Sequence, residues 1–257
     1  ANGVYLENTT NLSIDNSVIS VAGSYGVYAQ NANTSSITNS TIDGTYSEAA
    51  IKMESCIGCT VDNNTMSNNP YRGIWMDYGF NTSITNNTMD VDYYGIQAEY
   101  GSYYSLDGNS ININNINNLS SVRAIYFNSS EYCTINDNTI TASGSTSSGY
   151  AIENGYSNSQ AIINNNTIDW ANYDSTQCGW YSADGSSYNP TYSYGIYSAD
   201  PQEVKGNNIS LDIYYGGHAL YVYKSSSYYV DAVIESNTID YWSQYPYSDN
   251  HGITIDA

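Results

Sequence analysis

Along this chain an aliphatic residue recurs five positions before another, across a polar step rich in Asn, Ser and Thr. The second members are Ile19, Ile42, Met66, Met89, Ile111, Ile140, Ile168, Ile209 and Ile239. The first are Ile14, Ile37, Val61, Ile84, Leu106, Ile135, Ile163, Val204 and Ile234. Successive second members lie 23, 24, 23, 22, 29, 28, 41 and 30 residues apart. Periodicity of this length marks a repeat architecture. Each unit opens with an alternating run such as Gly3-Val4-Tyr5-Leu6, Gly26-Val27-Tyr28-Ala29 or Gly73-Ile74-Trp75-Met76. Its period of two puts Val4 and Leu6 on one face and Tyr5 on the other. The opening Gly or Ala fits a tight corner, where a Cβ would be crowded.

A second short strand carries the first anchor and a third carries the second. Two positions before each second anchor stands Ser17, Ser40, Asn64, Asn87, Asn109, Asn138, Asn166, Asn207 or Asn237. Such amides can hydrogen-bond along a stack while tolerating the left-handed backbone of a corner. Three strands and three turns in about 23 residues describe one coil of a parallel β-solenoid, stable only against its neighbours. The pattern therefore predicts an all-β single domain over 1–257, with about nine coils, an unfinished tenth, and loop insertions at 169–194 and 241–250. A structureless Tyr/Asn/Ser-rich segment is the alternative, and nine in-register pairs oppose it.

Composition agrees. Six Leu, eight Glu and five Lys plus Arg supply few helix formers, whereas 34 Asn alternate with strand residues. A formal charge of −20 argues against nucleic acid and anionic membrane as partners. No apolar run approaches the roughly 20 residues of a membrane span. The start at Ala1 reads as a mature, processed chain.

The repeated pattern, written G-I-Y-x…S-I-T-N-N-T-I and carried by Gly73-Ile74-Trp75 and Ser83-Ile84-Thr85-Asn86-Asn87-Thr88, resembles the right-handed parallel β-helix repeat family. That family includes pectate-lyase-like enzymes, periplasmic NosD-type proteins and many archaeal cell-surface proteins. The Tyr- and Asn-rich, acidic repeats are most similar to surface-layer or sheath proteins of methanogenic archaea. The resemblance implies the fold and an extracellular, cell-surface location, and says little about activity.

Catalytic equipment is sparse. The basic residues are Lys52, Arg72, Arg123, Lys205 and Lys224, and the histidines are His218 and His251. The N-T-D…G-H-G…R-I-K set of polygalacturonases is missing, so neither an enzyme nor a cofactor is expected. One constellation stands out: Glu54, Asp77 and Glu99 fall at one outward position of three successive first strands, roughly 5 Å apart. Such a stack raises carboxyl pKa values or recruits a cation such as Ca2+, and two carboxyls about 5–5.5 Å apart also serve retaining glycosidases. Trp75 and Arg72 nearby would complete a sugar site. The plain alternative is an acidic stripe that Lys52 partly compensates. Asp43, Asp90, Asp169 and Asp240, directly after the second anchors, never fall on adjacent coils, which avoids like-charge stacking.

Cys56 and Cys59 form a Cys-x-x-Cys without the helix that lowers a thiol pKa. Cys133 shares the strand position of Cys59 about 14 Å away, and Cys178 is single. A structural disulfide among Cys56, Cys59, Cys133 and Cys178 suits a secreted chain. Eleven N-x-S/T sequons, including Asn8, Asn33, Asn81, Asn118 and Asn128, make glycosylation plausible. Thirty tyrosines place Tyr5, Tyr28, Trp75, Tyr126, Tyr197 and Tyr221 on the outward face. Such rings suit carbohydrate stacking or protein contact, or only cross-strand ladders. The 169–194 insertion adds Trp170, Cys178 and Trp180; the 241–250 insertion adds Trp242, Tyr245 and Tyr247.

The sequence thus reads as an extracellular structural protein. It would form a head-to-tail or lateral homopolymer (a sheath, layer or filament) through the open strands Gly3-Val4-Tyr5-Leu6 and Gly252-Ile253-Thr254-Ile255. The alternatives are a carbohydrate-binding adhesin or tail-spike-like module, and a polysaccharide lyase or hydrolase using Glu54, Asp77 and Glu99.

Overall fold

In the computed structural model the strands of each unit stack on the corresponding strands of the next. It describes residues 2–20, 22–44, 46–68, 71–114, 122–144, 149–155, 160–172, 193–213, 216–224, 232–243 and 250–256. These form three wholly parallel sheets of ten, nine and nine strands. The chain visits the sheets in turn, so every strand except those at the sheet edges pairs with the equivalent strands before and after it. No helix occurs among the described residues. The fold is the expected all-β parallel solenoid.

Register follows the sequence repeat. In the second sheet Ile14, Ile37, Val61, Ile84 and Leu106 stack in one row. In the third sheet Ile42, Met66, Met89 and Ile111 do the same. Both rows point into the coil and, away from its ends, are fully buried. Between the two anchors the chain turns on a left-handed residue: Asn39, Asn63, Asn86, Gly108, Asp137, Asn165 and Gly206 have φ from 50° to 65°. This relocates the corner. The left-handed backbone belongs to the residue before each ladder Asn, and the ladder Asn is reserved for hydrogen bonding.

That ladder is buried. Asn87 is typical: its Oδ1 accepts the backbone N–H of Asn64 and the Asn64 side-chain amide, both at 3.0 Å. Its Nδ2 donates back to Val61 O at 2.9 Å and onward to Asn109 Oδ1 at 3.0 Å. The same bonds run through Asn109, Asn138, Asn166 and Asn207 to Asn237. A chain of amides aligned in one direction polarises its neighbours and satisfies corner groups that no strand reaches.

The opening Gly or Ala does not sit at a corner. Gly73 lies inside the strand Arg72–Asp77, where Gly73 and Ile74 are both buried and the in–out alternation slips by one. A Cβ built on Gly73 would lie 2.6 Å from Gly95 O and 2.7 Å from Met89 Sδ. The strand bends inward there, and Ala50, Ala124, Ala151 and Ala219 fill the same buried place in other coils.

The insertions begin later than the spacing implies. Trp170 belongs to the strand Thr167–Asn172 and is fully buried, because third-sheet strands lengthen from three residues to six in the later units. Likewise Tyr241 and Trp242 lie in Thr238–Ser243. Residues 173–192 and 244–249, with Cys178, Trp180, Tyr245 and Tyr247, lie outside the described residues.

Candidate functional site

Sheet register brings the three carboxylates together: Asp77 pairs with Glu54 on one side and Glu99 on the other. The row beside them reads Tyr28, Lys52, Trp75, Gln97 and Tyr126. Lys52 is only 8% exposed, and a buried ammonium must find partners. Its Nζ lies 3.6 Å from Glu54, 4.0 Å from Asp77 and 3.5 Å from the Trp75 ring centroid. The Arg72 guanidinium stands 4.6 Å from the same centroid, and its Nε donates to Gln97 Oε1 at 2.6 Å.

The carboxylates differ in environment. Glu54 accepts from the Tyr28 hydroxyl at 2.6 Å and from Gln30 at 3.3 Å, and pairs with the Lys52 ammonium. The Tyr28 hydrogen bond, aided by Lys52 and Gln30 against burial, holds its carboxyl below the ordinary range. Glu99 accepts the Trp75 indole N–H at 3.3 Å. Burial pushes Asp77 up, and Glu99 and Glu54 add to this while Lys52 opposes it; its Oδ1 is buried without a hydrogen-bond partner. No group of three or more metal-ligating side chains converges among the described residues. The sugar platform expected at Trp75 is corrected: two cations occupy the ring, because Lys52 and Arg72 fold back onto it.

Exposed rings stand next door, at the corner between the first and second sheets. Tyr78 follows Asp77 and Tyr100 follows Glu99, and the two rings stack at 5.1 Å and 17°. Tyr103 and Tyr132 stack at 5.1 Å and 9°, with Phe80 edge-on to Tyr103 at 5.3 Å. With Ile57 these side chains are 40–58% exposed. All four tyrosines have φ between 52° and 59°. Equivalent corners elsewhere hold Asn8, Asn31, Ser55 and Ser129, or Asn11, Thr34, Gly58 and Asn81, at similar φ. A bulky residue there costs roughly 1–2 kcal/mol. The solenoid therefore carries four strained aromatics where Asn or Gly would relax it. Reading the sequence by pairs and anchors missed this strip. The available signal was the corner column itself, in which Tyr replaces Asn and Ser in consecutive units.

The doublet Tyr103-Tyr104 divides between surface and core. Tyr104 is 1% exposed, and its hydroxyl accepts the N–H of Gly79 at 2.8 Å. It occupies space left by Gly79 and Gly101, where added Cβ atoms would lie 2.8 Å and 2.2 Å from it.

The disulfide was expected within or between molecules; within the chain the described cysteines form none, Cys56, Cys59 and Cys133 being free and buried. Their thiols turn into the core among backbone carbonyls, Cys59 Sγ lying 2.9 Å from Ala32 O. A hydrogen bond with Cys59, and then burial, push the Cys56 thiol far up; burial pushes Cys133 up to about 12. The hydrogen bond from Cys56 instead holds the Cys59 thiol below its ordinary value, while the raised, buried Cys56 and Cys133 stay protonated and inert. Cys178 lies outside the described residues.

The end strands fall where the repeat places them. Asn2–Glu7, with Gly3, Val4, Tyr5 and Leu6, and Asn250–Asp256, with Gly252, Ile253, Thr254 and Ile255, are the two edge strands of the ten-stranded sheet. On the sheet face the other rings form ladders, Tyr150 on Tyr194 at 4.9 Å and Tyr197 on Tyr221 at 5.3 Å. Arg123 pairs with Glu153 among them, 4.7 Å from the Tyr126 centroid.

A family model described as the right handed beta helix region matches residues 2–168. The chain belongs to that family. No curated protein sequence matches this β-helix. Among solved structures it is similar to the Streptococcus pneumoniae surface protein and adhesin PfbA, with TM-score 0.52, 12% identity, and coverage of 90% of this chain and 69% of that one. It is also similar to the Dettilon tailspike protein, with TM-score 0.44, 15% identity and coverage of 99% and 61%. A GH87 alpha-1,3-glucanase catalytic domain gives TM-score 0.43, 11% identity and coverage of 99% and 64%. The β-helix thus spans about two thirds of the length of these proteins. No helix among the described residues is long and apolar enough to cross a membrane.

Proposed function

We propose that this β-helix protein is an extracellular recognition protein that binds carbohydrate at its aromatic corner and does not turn it over. One observation carries the reading: six large apolar side chains, Ile57, Tyr78, Phe80, Tyr100, Tyr103 and Tyr132, are exposed together, beyond the scattered singles of an ordinary surface. The neighbouring carboxylates support a binding role over a catalytic one, since Glu54 and Glu99 are engaged by Tyr28, Lys52 and Trp75. The pneumococcal protein of similar fold is named a surface protein and adhesin, a role this surface fits. Affinity electrophoresis through gels containing soluble polysaccharides tests the proposal. Retardation without release of reducing sugar is expected; turnover abolished by Asp77→Asn would replace it with the hydrolase reading.

A second reading, self-assembly into a sheath, layer or filament through Tyr-rich faces, is supported by the same exposed corner rings, Tyr78, Tyr100, Tyr103 and Tyr132. Contact between copies would be opposed by the −20 charge and strengthened by salt or calcium. Sedimentation that stays monomeric at high protein concentration with calcium would remove it.

A further inference from the structure

Rows of a solenoid run along its axis, so the column of Tyr78 and Tyr100 can be followed in both directions. Backbone hydrogen bonds from Asn31, Ser55, Tyr78 and Tyr100, each to the following coil, fix the order Asn31, Ser55, Tyr78, Tyr100, with Ser129 next. The two rings cover each other's inner faces at 5.1 Å. Their outer faces are turned to Ser55 on one side and Ser129 on the other, two small side chains where the next rung would hold a ring. On the Ser55 side, where the rung beyond is Asn31, this leaves a notch floored by serine and walled by the Tyr78 face; the rung beyond Ser129 lies outside the described residues.

Charge selects the occupant. Glu54, Asp77 and Glu99 line one edge of the column, and exposed Glu131 stands beside Tyr132. The nearby cations are spent: Lys52 on Glu54, Asp77 and Trp75, and Arg72 on Trp75, Gln97 and Glu48. A second copy of this face would set carboxylates against carboxylates, and an acidic glycan would do the same. A neutral pyranose has an apolar face for a tyrosine ring and hydroxyl donors for carboxylate oxygens.

We infer that the Tyr78–Tyr100 stack is the specificity-determining site for a neutral glycan, one sugar ring entering the notch over Ser55. This deepens the recognition role proposed above and rests on it.

The strained backbone gives a test that separates binding from folding. Tyr78→Asn and Tyr100→Asn place at φ 53° and 52° the residue type other coils use there, so each variant should melt at or above the wild-type temperature. Retardation by a neutral glucan or glucomannan gel should weaken about tenfold or more in the double variant. Ser55→Tyr should add the next rung, keep both tyrosines and still weaken binding by filling the notch. A polygalacturonate gel should retard none of the proteins. If the intact protein is retarded by no polysaccharide, the recognition role itself fails. If it is retarded and the double variant binds equally, the sugar sits elsewhere and the notch assignment is overturned. Variants that change sedimentation instead of retardation would make the strip a contact between copies, and preferred binding of polygalacturonate would overturn the charge argument.

Discussion

Asn87 makes four side-chain hydrogen bonds inside the coil, to Asn64, Val61 and Asn109. Asn87→Ala leaves a buried carbonyl and two donors without partners, and is expected to cost about 3 kcal/mol in urea denaturation. Asn87→Asp should cost more at neutral pH, since it sets a carboxylate against Val61 O and Asn109 Oδ1. Asn86→Gly, one residue away at φ 54°, should be close to neutral. Asp77 and Glu54 give a pH signature of opposite signs. A carboxyl raised on folding contributes stability below its ordinary value, 3.8 for Asp77, and loses it as pH rises through the folded value. Glu54 is lowered from 4.5, so its contribution is present above that value and lost as pH falls through the folded one. Asp77→Asn should therefore raise the melting temperature at pH 7, with the gap closing towards pH 3. Glu54→Gln should lower it at pH 7, with the gap narrowing in acid. Equal gaps at both pH values would contradict these assignments.

At the scale of a strand, burial sets the penalty. Ile84 is fully buried in Ser83–Thr85, whereas Thr85 is half-exposed and donates to Asp62 Oδ1 at 2.6 Å. Ile84→Asp buries an unpaired charge and should cost several kcal/mol; Thr85→Ala should cost about 1 kcal/mol. Similar thermal shifts for both would mean that the register is wrong. The strands were legible because each anchor pair repeats one local geometry, and outward Tyr5, Tyr28, Trp75 and Glu54 follow from alternation alone. The bend at Gly73 was not, since the crowding comes from Gly95 O of the next unit and from Met89 across the coil. Nor was the capping of Trp75, because Lys52 and Arg72 are long side chains whose direction spacing does not encode. The exposed corner rings escaped notice because pattern reading favours strands, whereas these sit in the turns that strand periodicity skips.

For the whole molecule, the decisive feature is that each coil's backbone hydrogen bonds go to its neighbours, with the amide ladder bridging the same gaps. Those bonds lie along the solenoid axis. Tension applied between the two ends would load one inter-coil seam at a time, in an unzipping geometry, so the protein should yield in serial steps instead of one collapse. A coil of 23 residues releases roughly 80 Å of slack when pulled straight. The separation of 41 residues between Asn166 and Asn207 should release roughly 140 Å. Single-molecule stretching is expected to give a sawtooth with that unequal spacing. Ladder substitutions such as Asn87→Ala should lower the force of particular teeth without altering their length. On a cell surface such a molecule would act as a mechanical fuse, extending under load and reforming coil by coil when the load is removed.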